Sequence, residues 1–194
     1  MAGFFCRSLI VCLLFLLAMA SAAVAKEDYR NSIILYGAKY TPDKLGDIFL
    51  NSHETSNSYL AALAWNREFS RSFGDLGWET EIQAVKHFGG QHHLEFNALV
   101  VARWHRFPWN RRIATTVAVG EGLSLATRTP QLERDNHTRV NALLNYLLFE
   151  LTLAPPQSRW YWSGRIHHRS GVYGLFDGVH GASNFIGTGL GYRF

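Results

Sequence analysis

Between Gln91 and Trp104 the side chains alternate so regularly that the segment admits little besides a β-strand with two unlike faces. His92, Leu94, Phe96, Ala98, Val100, Ala102 and Trp104 fall on one face, and Gln91, His93, Glu95, Asn97 and Arg103 form much of the other. A repeat of two is the signature of a strand. The pattern returns less cleanly at Trp78, Ile82 and Ala84 opposite Glu79, Glu81 and Gln83. Followed along the chain, it predicts eight strands, at 31–39, 57–67, 76–87, 91–104, 111–121, 139–152, 158–169 and 183–194. Most have about the 9–11 residues, or slightly more, that a tilted strand needs to cross a bilayer. A 14% aromatic content and 17 glycines against 5 prolines suit an all-β chain with frequent turns.

Alternation alone is shared by a soluble sandwich and a membrane barrel. In the first the polar face meets water. In the second it fills the interior, where Glu79, Glu81, Glu95, Arg103 and Arg165 would neutralise one another. The N-terminus favours export. Arg7, the apolar run from Leu9 to Met19 and the small residues Ala23-Val24-Ala25 read as a signal peptide over residues 1–25. The run is shorter than the roughly 20 apolar residues of a helical span, and no second run is long enough. In a membrane the remaining chain, residues 26–194, is therefore a closed barrel, since lipid cannot satisfy an open sheet edge. Cys6 and Cys12 both lie in the leader, which leaves no disulfide or thiolate metal site beyond it. Removing Arg7 with the leader lowers the formal charge from +4 to +3, no argument for nucleic acid.

The last strand places Ile186, Leu190, Tyr192 and Phe194 on one face and Gly187, Gly189, Gly191 and Arg193 on the other. A terminal strand that ends in an aromatic, with Tyr two residues earlier, resembles the C-terminal signature of bacterial outer-membrane barrels. Trp65, Trp78, Trp104, Trp109, Trp160 and Trp162 sit near predicted strand ends, as an interfacial girdle requires. With both termini periplasmic, short turns fall near 68–75, 105–110 and 153–157. Outer loops fall near 40–56, 88–90, 122–138 and 170–182. The predicted fold is an all-β, eight-stranded antiparallel transmembrane β-barrel.

The densest polar cluster is Arg165-Ile166-His167-His168-Arg169-Ser170-Gly171, at the outer end of strand seven. Arg165, His167 and Arg169 share the interior parity. His168 and Ser170 share the opposite one with Trp160 and Trp162. Two residues apart on one face, an imidazole can serve as base toward a serine hydroxyl. On the neighbouring antiparallel strand, Asn184 has the same parity and reaches the same rim. Adjacent histidines point to opposite faces, so neither His92-His93 nor His167-His168 is expected to form a site from both members, and no metal or cofactor is assigned.

Arg165-Ile166-His167-His168-Arg169-Ser170 resembles the Arg-x-x-His-x-Ser segment of the outer-membrane lipid A 3-O-deacylases, the PagL family. The resemblance is firm over 158–194 and looser elsewhere. It implies an eight-stranded barrel that hydrolyses the 3-position acyl ester of lipid A with a membrane-facing Ser-His-Glu triad. His168 matches the catalytic His and Ser170 the nucleophile. The family's Glu falls near Ala182 to Asn184, where this chain has no carboxylate, and Gly171 replaces the usual Asn. Asn184 or Asp177 is left to orient His168. Amides near Gly171 would meet the oxyanion, while Arg165, Arg169 and the loop residues Arg128 and Arg134 would meet lipopolysaccharide. The resulting expectation is an outer-membrane lipid-ester hydrolase, whether monomer or homodimer. Its rivals are a non-catalytic structural or lipid-binding barrel and a periplasmic lipocalin-like carrier.

Overall fold

The computed structural model describes residues 29–43, 45–49, 57–72, 75–136 and 139–194; the predicted leader lies outside them. Eight antiparallel strands close in sequence order, β1 against β8. They are β1 (Asn31–Thr41), β2 (Ser58–Ser72), β3 (Leu76–Gly89), β4 (Leu94–Trp104), β5 (Ala114–Ala126), β6 (Leu143–Ala154), β7 (Trp160–Ser170) and β8 (Ala182–Arg193). Phe194 completes the closure, its backbone exchanging hydrogen bonds with that of Asn31 (2.9 and 3.1 Å). All eight predicted strands are present. The start of β1, the end of β8 and the β2–β3, β4–β5 (105–113) and β6–β7 (155–159) connections gather at one end, here the turn end. The β1–β2, β3–β4 (90–93), β5–β6 and β7–β8 (171–181) connections join strands at the opposite, loop end.

The alternation sorts side chains between two environments. Outward-facing Leu35, Leu63, Ile82, Phe96, Val119 and Leu123 form an exposed apolar belt, a surface that soluble monomers avoid. Trp78, Trp104, Trp109, Trp160 and Trp162 are exposed, and all lie toward the turn end, so the tryptophan girdle is one-sided. At the loop end Tyr59, Phe88, Phe96 and Tyr173 are exposed aromatics.

Inward-facing residues fill the barrel. Arg103 binds both Glu79 (2.6 and 3.1 Å) and Glu150 (2.7 Å). Arg165 binds Glu150 (2.8 Å) and forms a two-pronged pair with Glu81 (2.8 and 2.9 Å). Such multiply bonded pairs offset the cost of burying charge. The expected neutralisation is therefore present, with Glu150 as its unforeseen centre. Glu95 lies apart from it, against His87 and His167. Apolar patches built on Ile34, Tyr36 and Phe185, and on Leu99, Tyr146 and Leu148, pack around the ion pairs. The exposed apolar belt does not fit the soluble, lipocalin-like carrier.

Across the loop end lies a short helix, α1 (Gln131–Asn136). Its Glu133 is buried and receives Arg169 at 2.6 Å and the Ser183 hydroxyl at 3.1 Å, and its Leu132 packs on the core. This plug was not foreseen within the predicted 122–138 loop.

Candidate active site at the loop-end rim

Strand register sets the site. Thr41 on β1 lies opposite Asn184 on β8, and Asn184 lies opposite His168 on β7. All three side chains face outward, so they form a row around the rim. His168 Nδ1 is 2.6 Å from Asn184 Oδ1. The Asn184 amide nitrogen donates to the Asp43 carbonyl at 2.7 Å. An amide held at its nitrogen has one oxygen to offer, so His168 Nδ1 must carry the proton and donate it. The lone pair is then on Nε2, the atom a general base uses.

Asp43 supplies this support through a compact turn. The Thr41 hydroxyl donates to the Asp43 carboxylate at 2.6 Å, and the Asp43 amide donates to Thr41 Oγ1 at 3.2 Å. Thr41-Pro42-Asp43 is a turn sequence, a signal that was available in the sequence but fell within a predicted loop. Pro42 and Asp43 of this turn line a cavity together with His168. Although the histidine has the lipid-facing parity that alternation assigns, it is only 8% exposed.

Ser170 lies at the last position of β7 and is half-buried. With His168 and Asn184 it lines the same cavity, of about 780 Å³, whose lining also includes Tyr40, Leu45, Val172, Tyr173 and His180. Ser170 Oγ makes no hydrogen bond to any described residue, so the serine and the imidazole share the cavity without a link between them. The order is Asp43 carbonyl, Asn184, His168 and then an open space bordered by Ser170.

The other predicted residues lie elsewhere. Asp177 is exposed in the 171–181 loop, accepts from Asn141 at 3.3 Å and does not line the cavity. Arg165 is enclosed by Glu81 and Glu150 inside the barrel. Arg169 is likewise enclosed, bound to Glu133, Ser124 and the carbonyls of Asn141 and Ala142. Their inward parity takes both guanidinium groups away from any lipid. Gly171 does not present its amide to the cavity, because that N–H donates to the Gly181 carbonyl at 3.1 Å. A side chain there would meet the Val179 carbonyl at 2.0 Å, which accounts for glycine in place of asparagine.

The next two residues carry strain. Val172 and Tyr173 have φ of 47° and 54°, a conformation that is costly for a β-branched side chain. Neither amide donates to a described residue, and both residues line the cavity beside Ser170. Sequence reasoning missed them, since nothing in Gly171-Val172-Tyr173 announces left-handed backbone.

Fold and rim together define a small closed barrel with a serine–imidazole–amide arrangement at one end. No protein-family model matches the chain, and no curated protein matches it in sequence. Among solved structures, the outer membrane enzyme PagL matches at 14% identity over 81% of this chain and 97% of its own, with a TM-score of 0.53. Neisserial surface protein A (NspA) matches at 9% identity, covering 84% and 97%, with a TM-score of 0.49. Ail of Yersinia pestis matches at 14%, covering 87% and 100%, with a TM-score of 0.42. At such identities the likeness is one of fold.

Proposed function

We propose that this chain is exported behind residues 1–25 and works in the bacterial outer membrane as a lipid-ester hydrolase, removing the 3-position acyl chain of lipid A. The observation that carries the reading is the doubly fixed Asn184, which leaves His168 Nε2 as a base toward the cavity that holds Ser170. The segment resembling the PagL family supplies the substrate class.

In the proposed reaction, Ser170 Oγ attacks the ester carbonyl as His168 Nε2 takes its proton. The amides of Val172 and Tyr173, which follow Gly171, meet the oxyanion. Collapse breaks the bond to the alkoxy oxygen, which receives the proton from His168. Water then attacks the acyl-serine with His168 again as base, releasing the fatty acid and restoring Ser170. A neutral amide stabilises the imidazolium less than a carboxylate does, so turnover is slower than in a Ser-His-Glu enzyme. The exposed Tyr173 and Leu175 suit contact with acyl chains, and exposed Arg128 and Arg134 suit contact with phosphates.

A serine-reactive acyl-phosphonate applied to the folded barrel tests the nucleophile. The reading predicts one adduct, on Ser170, absent from Ser170→Ala and strongly reduced in His168→Ala. The unlinked Ser170 hydroxyl favours a second reading, a lipid-binding barrel without catalysis, for which labelling does not exceed the Ser170→Ala background.

A further inference from the structure

Inside the loop end, on the opposite side of the wall from His168, three histidines converge on one carboxylate. His87 Nε2 lies 2.9 Å from Glu95 Oε2, and His167 Nε2 lies 3.0 Å from Glu95 Oε1. Ligand atoms of His87, His93 and Glu95 all lie within 4.8 Å of one another. All four residues are at most 5% exposed. His93 Nε2, His167 Nε2 and Glu95 Oε1 are buried without a hydrogen bond; the His167–Glu95 contact is close but out of line for one. Buried polar atoms left in this state are costly and uncommon in folded proteins.

We propose that His87, His93, Glu95 and His167 form a binding site for a divalent transition metal, with zinc as the natural occupant. Three imidazoles and a carboxylate are a borderline donor set that suits zinc and disfavours magnesium and calcium. The surroundings also fit. Metal-bound histidines normally give their other N–H to a fixed acceptor. His167 Nδ1 is 3.1 Å from the hydroxyls of Tyr36 and Tyr146, and Tyr36 donates its own proton to Gln83, leaving its oxygen to accept. Gln91 lies 3.0 Å from His87 Nδ1, and its Oε1 has no partner. A half-turn of that amide makes it an acceptor there.

An ion held at about 2.0–2.1 Å from each ligand draws the side chains inward. His93, in the short 90–93 connection, can rotate without breaking a strand ladder, and it must, because its ring is stacked on His87 at 4.2 Å. The metal ties together β3, the β3–β4 connection, β4 and β7. Its role is structural, since the ligands face away from the rim cavity. The alternation that separates His92 from His93, and His167 from His168, selects one inward member of each pair for the site.

The test uses the full mature chain without an affinity tag, refolded in detergent with zinc, freed of excess metal by gel filtration and analysed for metal content. Heat-dependent migration on gels verifies folding of each variant. The proposal predicts one zinc per folded chain, retained by His92→Ala, whose residue is exposed beside the site. It predicts at least about tenfold weaker binding for His93→Ala and His167→Ala, the loss that even outer-shell changes cause. Cobalt substituted for zinc should give the intense visible bands of a tetrahedral site. Folded wild type without stoichiometric zinc, or zinc retained equally by His93→Ala and His167→Ala, overturns it. Neither readout depends on hydrolysis.

Discussion

Asn184 is the residue on which the proposed chemistry turns, because it acts on His168 and not on substrate. Asn184→Ala frees the imidazole to rotate and to change tautomer. The expected result is a kcat lower by on the order of a hundredfold, with KM nearly unchanged and wild-type folding on gels. A purely structural role would instead lower the folded fraction at constant kcat. Parity placed His168, Ser170 and Asn184 on one face in the sequence. The clamp was not legible, because it depends on the Asp43 carbonyl and on register across two interfaces. At the turn end, burial, reinforced by Arg103, Arg71 and Arg193, pushes His105 down to about 3. Glu68, 3.7 Å away, does not outweigh them. A depressed histidine favours folding while neutral, so its contribution is complete above about 6.5, the unfolded value, and fades as pH falls toward 3. Urea titrations across that window should show wild type losing stability and His105→Asn losing less.

At the scale of elements, β5 and β8 show how glycine misleads and informs. Gly120 and Gly122 resemble a strand end, and the sequence reading stops at 121. The strand runs on to Ala126 because β4 presses against it: a Cβ at Gly122 would meet the Ala98 carbonyl at 2.1 Å. Conversely, the predicted starts at 111 and 91 came too early. Asn110 ties the 105–113 connection to the His105 carbonyl and the Thr115 amide, and Gln91 and His93 turn into the barrel before the ladder begins. At Gly191 the space a side chain would need is taken by the Tyr161 ring, 2.1 Å from where a Cβ would sit. Gly191→Val should destabilise the barrel by about 1–3 kcal/mol in urea-dependent folding. Tyr161→Ala in the same chain should recover part of that loss.

Across the whole molecule, the strand count, the closure and the two-faced pattern were legible, since a period of two reports which environment each residue meets. Long-range pairing was less so. Glu79, Glu81, Arg103 and Arg165 were foreseen as partners, yet their hub is Glu150 on β6, whose segment Leu147-Leu148-Phe149-Glu150 reads as nearly uniformly apolar. Glu150→Gln leaves Arg103 and Arg165 short of one charge in a buried setting. Breaking such a pair costs about 3–5 kcal/mol, and unfolding in urea should move to correspondingly lower denaturant. The helix α1 was equally hidden, as six residues stabilised mainly by Arg169 and Ser183 leave little local signal.

The rim chemistry, rather than the barrel, is the central claim, and lipid A itself can judge it. Wild type, Ser170→Ala and His168→Ala would each be expressed in a Gram-negative host, with folding in the outer membrane verified by heat-dependent migration. Lipid A would then be extracted for mass spectrometry. The account predicts that wild type alone yields lipid A lighter by one 3-position acyl chain, with the matching free fatty acid released. Unchanged lipid A in cells whose outer membrane holds the folded wild-type barrel would contradict it.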